Sequence, residues 1–138
     1  MAQEVESERG PASQSKVLIV GAGPAGPFAA CELLRHGLKP RVIESRLQPH
    51  HETRGTAVQP AILETLDRAG VIDAFLDQSV RIHEIELMGP GQRQIAFSKL
   101  AGLGCKYEFQ CSQPQWFTER VLRDHLASLG LGASSARR

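Results

Sequence analysis

The chain has 138 residues, 41% hydrophobic and 22% charged, which suits one small domain and leaves no room for two full nucleotide-binding domains plus a substrate domain. Sixteen Lys and Arg against fifteen Asp and Glu give a net charge of +1, so no global field attracts phosphate backbones or anionic lipid, and nucleic acid is not an expected partner. The most apolar stretch, 17–31, is interrupted by Gly21, Gly23, Pro24, Gly26 and Pro27 and cannot supply the roughly 20 apolar residues of a membrane span. Residues 1–15 carry acids and lack the apolar centre of a secretory signal, which reads as a disordered lead. Cys31, Cys105 and Cys111 are odd in number and form no CxxC pair, so neither a disulfide framework nor a zinc site is expected, and a reducing cytoplasm is the expected setting.

Taken in chain order, KVLIV from Lys16 is a short β-branched run ending at a glycine, which predicts a parallel strand buried on both faces. GAGPAGPFAACELLRHG follows with Ala29, Ala30, Leu33 and Leu34 at helical spacing and Gly37 where a helix stops. RVIES then predicts a second strand, completing a β-α-β unit of the usual size of about thirty residues. Residues 46–59 read as a polar loop. Pro60 suits the first turn of a helix with Ile62, Leu63 and Leu66 on one face, closed by Gly70, and 72–76 adds a further helical turn. The alternation in RIHEIELM, with Ile82, Ile85 and Leu87 near one face, then a GPGQ turn, QIAFS and KYEFQ, predicts an antiparallel ribbon or small meander. Ser112, Pro114 and Gln115 mark a last helix start, with Val121, Leu122, Leu126 and Leu129 as its apolar face. The fold class expected is α/β, a partial Rossmann-like β-α-β domain over 16–130 with a small antiparallel meander and a flexible tail at 131–138. The chain is expected to stop just before the third parallel strand.

The main chemical signal is Gly21-Ala22-Gly23-Pro24-Ala25-Gly26, because it lies between a predicted strand and a predicted helix. Gly21 allows the tight turn, Gly23 lets the backbone approach a pyrophosphate, and Gly26 lets helix and strand pack closely. The free N–H groups and dipole of the helix's first turn favour an anion there. Glu44, 18 residues after Gly26 at the end of the second strand, is placed to accept ribose hydroxyls. Pro27 departs from the usual apolar residue after the third glycine, at small cost, because the first turn has no use for its missing donor. The loop and its acid fit an adenine dinucleotide, NAD or FAD equally.

Four blocks in order, VLIVGAGPAG, VIES, TRGTAVQPAILETLDRAGV and SQPQWFTERVLRDHLASLG, resemble the N-terminal part of the FAD-dependent aromatic-ring monooxygenases, the group typified by p-hydroxybenzoate hydroxylase and phenol hydroxylase. The similarity covers about residues 16–130. It implies FAD as cofactor, with Glu44 on the adenosine ribose and the glycine loop, Pro24 and Ala25 included, on the pyrophosphate. Arg54 matches an arginine near the cofactor, able to serve phosphate or flavin-ribose oxygens. Gln115 matches a glutamine that serves the ribityl and pyrophosphate region, and Arg46 is a weaker candidate on the adenine side. In the complete family NAD(P)H and dioxygen support hydroxylation of an aromatic, usually phenolic, ring, chemistry carried by the cofactor. The family's later Asp-Gly and Gly-Asp-Ala segments have no counterpart, since this sequence contains no Asp-Gly or Gly-Asp pair. The expected function is therefore an N-terminal FAD-binding piece that does not turn over alone, and an uncovered sheet edge is expected to favour self-association.

Two other classes stay open beside it: a catalytically silent nucleotide-binding module, and a small NAD-dependent oxidoreductase. A Tyr-x-x-x-Lys pair is missing, because Tyr107 is followed four residues later by Cys111. His50 and His51 read as solvated loop residues. Asp124 and His125 face different directions on a helix with no nucleophile motif nearby, and Trp116 and Phe117 read as packing residues.

Overall fold

In the computed structural model, which describes residues 16–46, 55–132 and 134–135, strand β1 (Leu18–Val20) leads through helix α1 (Ala25–Arg35) to strand β2 (Arg41–Glu44). The two strands are parallel, with Ile19 beside Val42. Next come β3 (Ala57–Val58), α2 (Pro60–Arg68), α3 (Ile72–Leu76), β4 (Val80–Ile82), β5 (Glu84–Met88), β6 (Gln94–Lys99), β7 (Gln110–Ser112), α4 (Gln115–Ser128) and β8 (Ser134–Ser135). Three small sheets result: β1-β2-β8, β3-β7-β4 and the β5-β6 pair. The first is parallel throughout and the other two are antiparallel.

Local chemistry sets the helix limits. Pro60 occupies the first turn of α2, where its missing N–H costs nothing. Helices α1, α2 and α4 close alike: Leu38, Val71 and Leu131 donate their N–H groups back to Leu33, Leu66 and Leu126, across left-handed Gly37, Gly70 and Gly130.

Two cores hold the elements together. Leu63 and Leu66 of α2, Ile72 and Phe75 of α3, Cys111 of β7, and Phe117, Val121 and Leu122 of α4 form the larger. Ala22, Ala30, Cys31, Val42 and Leu126 form the smaller, under the parallel sheet. Helix α4 therefore contributes to both, and it packs along α1.

Several expectations change. Strand β1 is covered on one face only: Ile19 packs into the smaller core, while Leu18 is 57% and Val20 78% exposed, because α1 lies on the Ile19 side and no described residue covers the other. Ala29 is exposed, and the buried side of α1 is Pro27, Ala30 and Cys31. Ile62 is 51% exposed, being turned about 100° from Leu63 around the helix and outside the contact. Leu129, just past the end of α4, is also largely exposed.

The strand pattern differs too. The polar loop contains β3, which pairs Ala57 with Ser112. The RIHEIELM run divides at His83, whose ring lies 5.6 Å from that of Phe109, and its halves join different sheets. The β5-β6 ribbon forms as expected, but 106–109 does not extend it. Lys106 instead donates its N–H to Glu64 at 2.9 Å and pairs its ammonium with Asp67, which fastens this segment to α2. Finally, the third parallel strand does begin within the chain, since Ser134–Ser135 pairs with Ile43 and Glu44 of β2.

Burial assigns the face of α2 to Leu63 rather than Ile62. In urea denaturation Leu63→Ala should cost about 2–5 kcal/mol and Ile62→Ala no more than about 0.5 kcal/mol. Equal losses would contradict this packing.

Candidate nucleotide site

The glycine loop begins where β1 ends. The Gly21 N–H donates to the Ile43 carbonyl at 2.8 Å, extending the parallel pairing by one residue, and Gly21 then turns the chain at φ +108°, a conformation L side chains rarely adopt. Gly26 lies in the first turn of α1 directly against it. A Cβ at Gly26 would stand 2.0 Å from the Gly21 carbonyl oxygen and 3.1 Å from its carbon. Backbone cannot yield to that approach, so only glycine lets the helix start this near the strand end. Gly23 is the opposite case, because a Cβ there would meet nothing within 4 Å. It fronts open space.

The N-terminus of α1 faces the same space without a side-chain cap, and Pro24 occupies the capping position. Pro27 brings no N–H, and its ring is fully buried, so the sequence departure is a packing element as well as a tolerated one. The Gly26 N–H reaches the Gly23 carbonyl at 3.2 Å, and the Phe28 N–H reaches the Pro24 carbonyl at 3.4 Å, a long bond. Among the described residues, no acidic side chain stands in the helix's first turn to satisfy its positive end. A pyrophosphate fits this cradle by the room at Gly23 and by the donors and dipole behind it.

Glu44 sits beside the loop, as its position in sequence implied, and its contacts are more specific than the sequence indicated. Its Oε2 accepts the Ala22 N–H at 2.7 Å, while Oε1 accepts the Arg46 N–H at 2.9 Å and the Ser45 hydroxyl at 3.2 Å. The Ala22 bond, followed by the Arg46 bond, holds the carboxyl below the usual glutamate range against the opposing effect of partial burial. Ala22 was not among the candidates from sequence. Its contribution is a backbone N–H, for which residue type carries no signal.

The remaining candidates are less gathered. Gln115 opens α4, and its side-chain amide donates to Glu119 at 2.9 Å; among the described residues it makes no bond to the glycine loop. Arg46 presents its backbone to Glu44 while its side chain is exposed. Arg54, with His50 and His51, lies outside the described residues. Asp124 and His125 line a groove with Gly70, Asp77 and Arg120 that contains no Ser, Thr or Cys nucleophile. Phe117 is core and Trp116 meets it edge-on at 6.2 Å, as expected for packing residues.

Two outcomes check this geometry. Gly26→Ala should destabilise the fold by about 1–3 kcal/mol or more, with Gly23→Ala within about 1 kcal/mol of the parent; equal unfolding midpoints for all three would contradict the close approach. Because the folded Glu44 value is depressed, its contribution to stability is complete above the ordinary range near pH 4.3 and is lost as pH falls through the lower folded value. A carboxyl NMR titration of Glu44 should show a midpoint below about 4.3, and a midpoint above it would contradict the assigned bonds.

Known proteins share both sequence and shape with this chain. A 6-methylpretetramide 4-monooxygenase of Streptomyces rimosus is 36% identical over 118 residues, covering 85% of this chain and 21% of the relative. A pentachlorophenol 4-monooxygenase of Sphingobium chlorophenolicum is 30% identical over 117 residues, covering 85% and 22%. The solved p-nitrophenol 4-monooxygenase of Pseudomonas putida DLL-E4 superposes with a TM-score of 0.80 at 24% identity, over 86% of this chain and 31% of that one, a likeness of fold. The chain thus spans between about a fifth and a third of the proteins it matches. Residues 14–138 match the family described as FAD binding domain, and with the cradle that Gly21, Gly23 and Gly26 form, the chain belongs to that family.

Proposed function

We propose that this chain forms the ADP side of the FAD site in a flavin-dependent aromatic-ring monooxygenase. The observation that carries the reading is the open Gly23 position in front of an uncapped helix, with the Glu44 carboxylate beside it. Gly21, Gly23, Pro24, Ala25 and Gly26 would surround the pyrophosphate, whose charge meets backbone N–H groups and the α1 dipole. Glu44 would take the ribose hydroxyls, and Arg54 and Gln115 would serve the ribityl side, Gln115 by releasing Glu119. FAD held there would supply its two-electron reduction by NAD(P)H and, with dioxygen, transfer of one oxygen atom to an activated ring, the other leaving as water. The protein's part in that chemistry is to hold the dinucleotide and fix its direction relative to the sheet.

The substrate class belongs to the same proposal, since the matched relatives are named for oxygenation of aromatic compounds. The chain alone is proposed not to turn over, because no Asp-Gly or Gly-Asp pair is present for the flavin-ring and ribitol contacts that the resemblance implies. Three free thiols, Cys31, Cys105 and Cys111, support a reducing cytoplasm, and no helix among the described residues is long and apolar enough to cross a membrane. Self-association through an uncovered strand edge is part of the reading, supported by β1 standing at the end of its sheet with no partner beyond it among the described residues.

Calorimetric titration with ADP and FAD should show saturable binding, and Gly23→Val should abolish it while leaving the fold intact. Binding unchanged in that variant, or none in the parent, would sink the cofactor assignment. With FAD, NADPH and a phenol, NADPH oxidation should stay at the buffer rate; turnover would overturn the proposal of an inactive chain. Light scattering should show mass rising with protein concentration, and a constant monomer mass would remove self-association.

A further inference from the structure

Glu44 is bonded on both sides within the protein itself. Its carboxylate crosses 22 residues of sequence to hold Ala22 and also caps the turn at Ser45 and Arg46, so it ties the loop between β1 and α1 to the end of β2. Ala22 stands between two glycines, and its side chain is buried in the smaller core. With the Gly21 N–H held by the Ile43 carbonyl and the Ala22 N–H held by Glu44, two successive peptide units are fixed in direction. Gly23, the next residue, inherits that direction.

We infer that Glu44 is a positioning residue for the pyrophosphate loop, acting through the Ala22 N–H, in addition to the ribose contact proposed above. A loop of three glycines has the most backbone freedom to lose when it closes on phosphate. A carboxylate that fixes it beforehand removes part of that cost, and the gain applies to phosphate recognition whether or not the sugar carries hydroxyls. The ligand side of this inference rests on the nucleotide reading of the site; the strut between Glu44 and Ala22 does not.

Affinities for ADP and 2′,3′-dideoxy-ADP, measured for the parent, Glu44→Gln and Glu44→Ala, separate the two roles. Glu44→Ala should weaken dideoxy-ADP by about tenfold, the loss of one charge-assisted bond, and weaken ADP further. Glu44→Gln keeps one oxygen, which can accept from Ala22 only with its NH2 turned toward the Arg46 N–H, and should weaken dideoxy-ADP less than Glu44→Ala does while still losing affinity for ADP. An unchanged dideoxy-ADP affinity in Glu44→Ala would reduce Glu44 to a ribose ligand and overturn the inference.

Amide hydrogen exchange at Ala22, followed in protein alone, gives a second readout. Exchange should be slow in the parent, intermediate in Glu44→Gln and fastest in Glu44→Ala. Glu44→Asp, which keeps the charge but shortens the reach, should also exchange faster and decides the matter if Glu44→Ala does not fold. Parental protection in these two variants overturns the strut. Fast exchange in them with no nucleotide bound by the parent would support the strut and refute the nucleotide reading instead.

Discussion

The approach of Gly26 to the Gly21 carbonyl governs most of what this fold does. No other residue could stand there, because a Cβ would fall 2.0 Å from a backbone oxygen. That contact sets the start of α1 at the end of β1, and the rest of the smaller core follows from it: Ala30 and Cys31 come down beside Val42, and Pro27 is buried at the crossing. The first turn of the helix is left directed past the strand ends, where Gly23 leaves room. One steric constraint therefore fixes the packing and creates the cradle.

The field inside that cradle comes from backbone more than from charged side chains. The chain as a whole is close to neutral, and the described loop has no lysine or arginine between Gly21 and Gly26. Its attraction for an anion comes from oriented N–H groups and the helix dipole, which act over the first turn and decline quickly beyond it. Glu44 brings a carboxylate to the loop's edge, and its negative charge is spread over donors from Ala22, Ser45 and Arg46. A carboxylate so bonded repels a nearby anion less than a bare one, because its charge is already met by hydrogen-bond donors.

Much of this was legible in the residues. The glycine spacing, the helix closures and the acid at the end of β2 each depend on side-chain absence or on one functional group at one place, which a sequence displays directly. What escaped reading depends on partners far along the chain. The RIHEIELM alternation continues through His83 because both halves are extended, so periodicity carries no sign that the strand changes sheets. Lys106 and Tyr107 look strand-like, yet the pull of Glu64 and Asp67 on Lys106 places them elsewhere. β3 and β8 have two residues each, too few for a pattern, and the serines of β8 have little strand preference of their own. The Ala22 N–H was invisible for a different reason, being common to every residue except proline.

Helix α4 is shared between the two cores, and that has a consequence for the order of events during synthesis. Leu63, Leu66 and Phe75 are made early, but the larger core lacks Phe117, Val121 and Leu122 until α4 is translated; the smaller core waits for Leu126. The β-α-β unit ends at Glu44, 82 residues before Leu126, so the side of it that Leu126 covers is closed only once α4 has been made. The glycine loop is thus consolidated by a helix that follows it by nearly ninety residues, from Gly26 to Gln115, so the β-α-β unit and the larger core close together rather than in the order in which they are written.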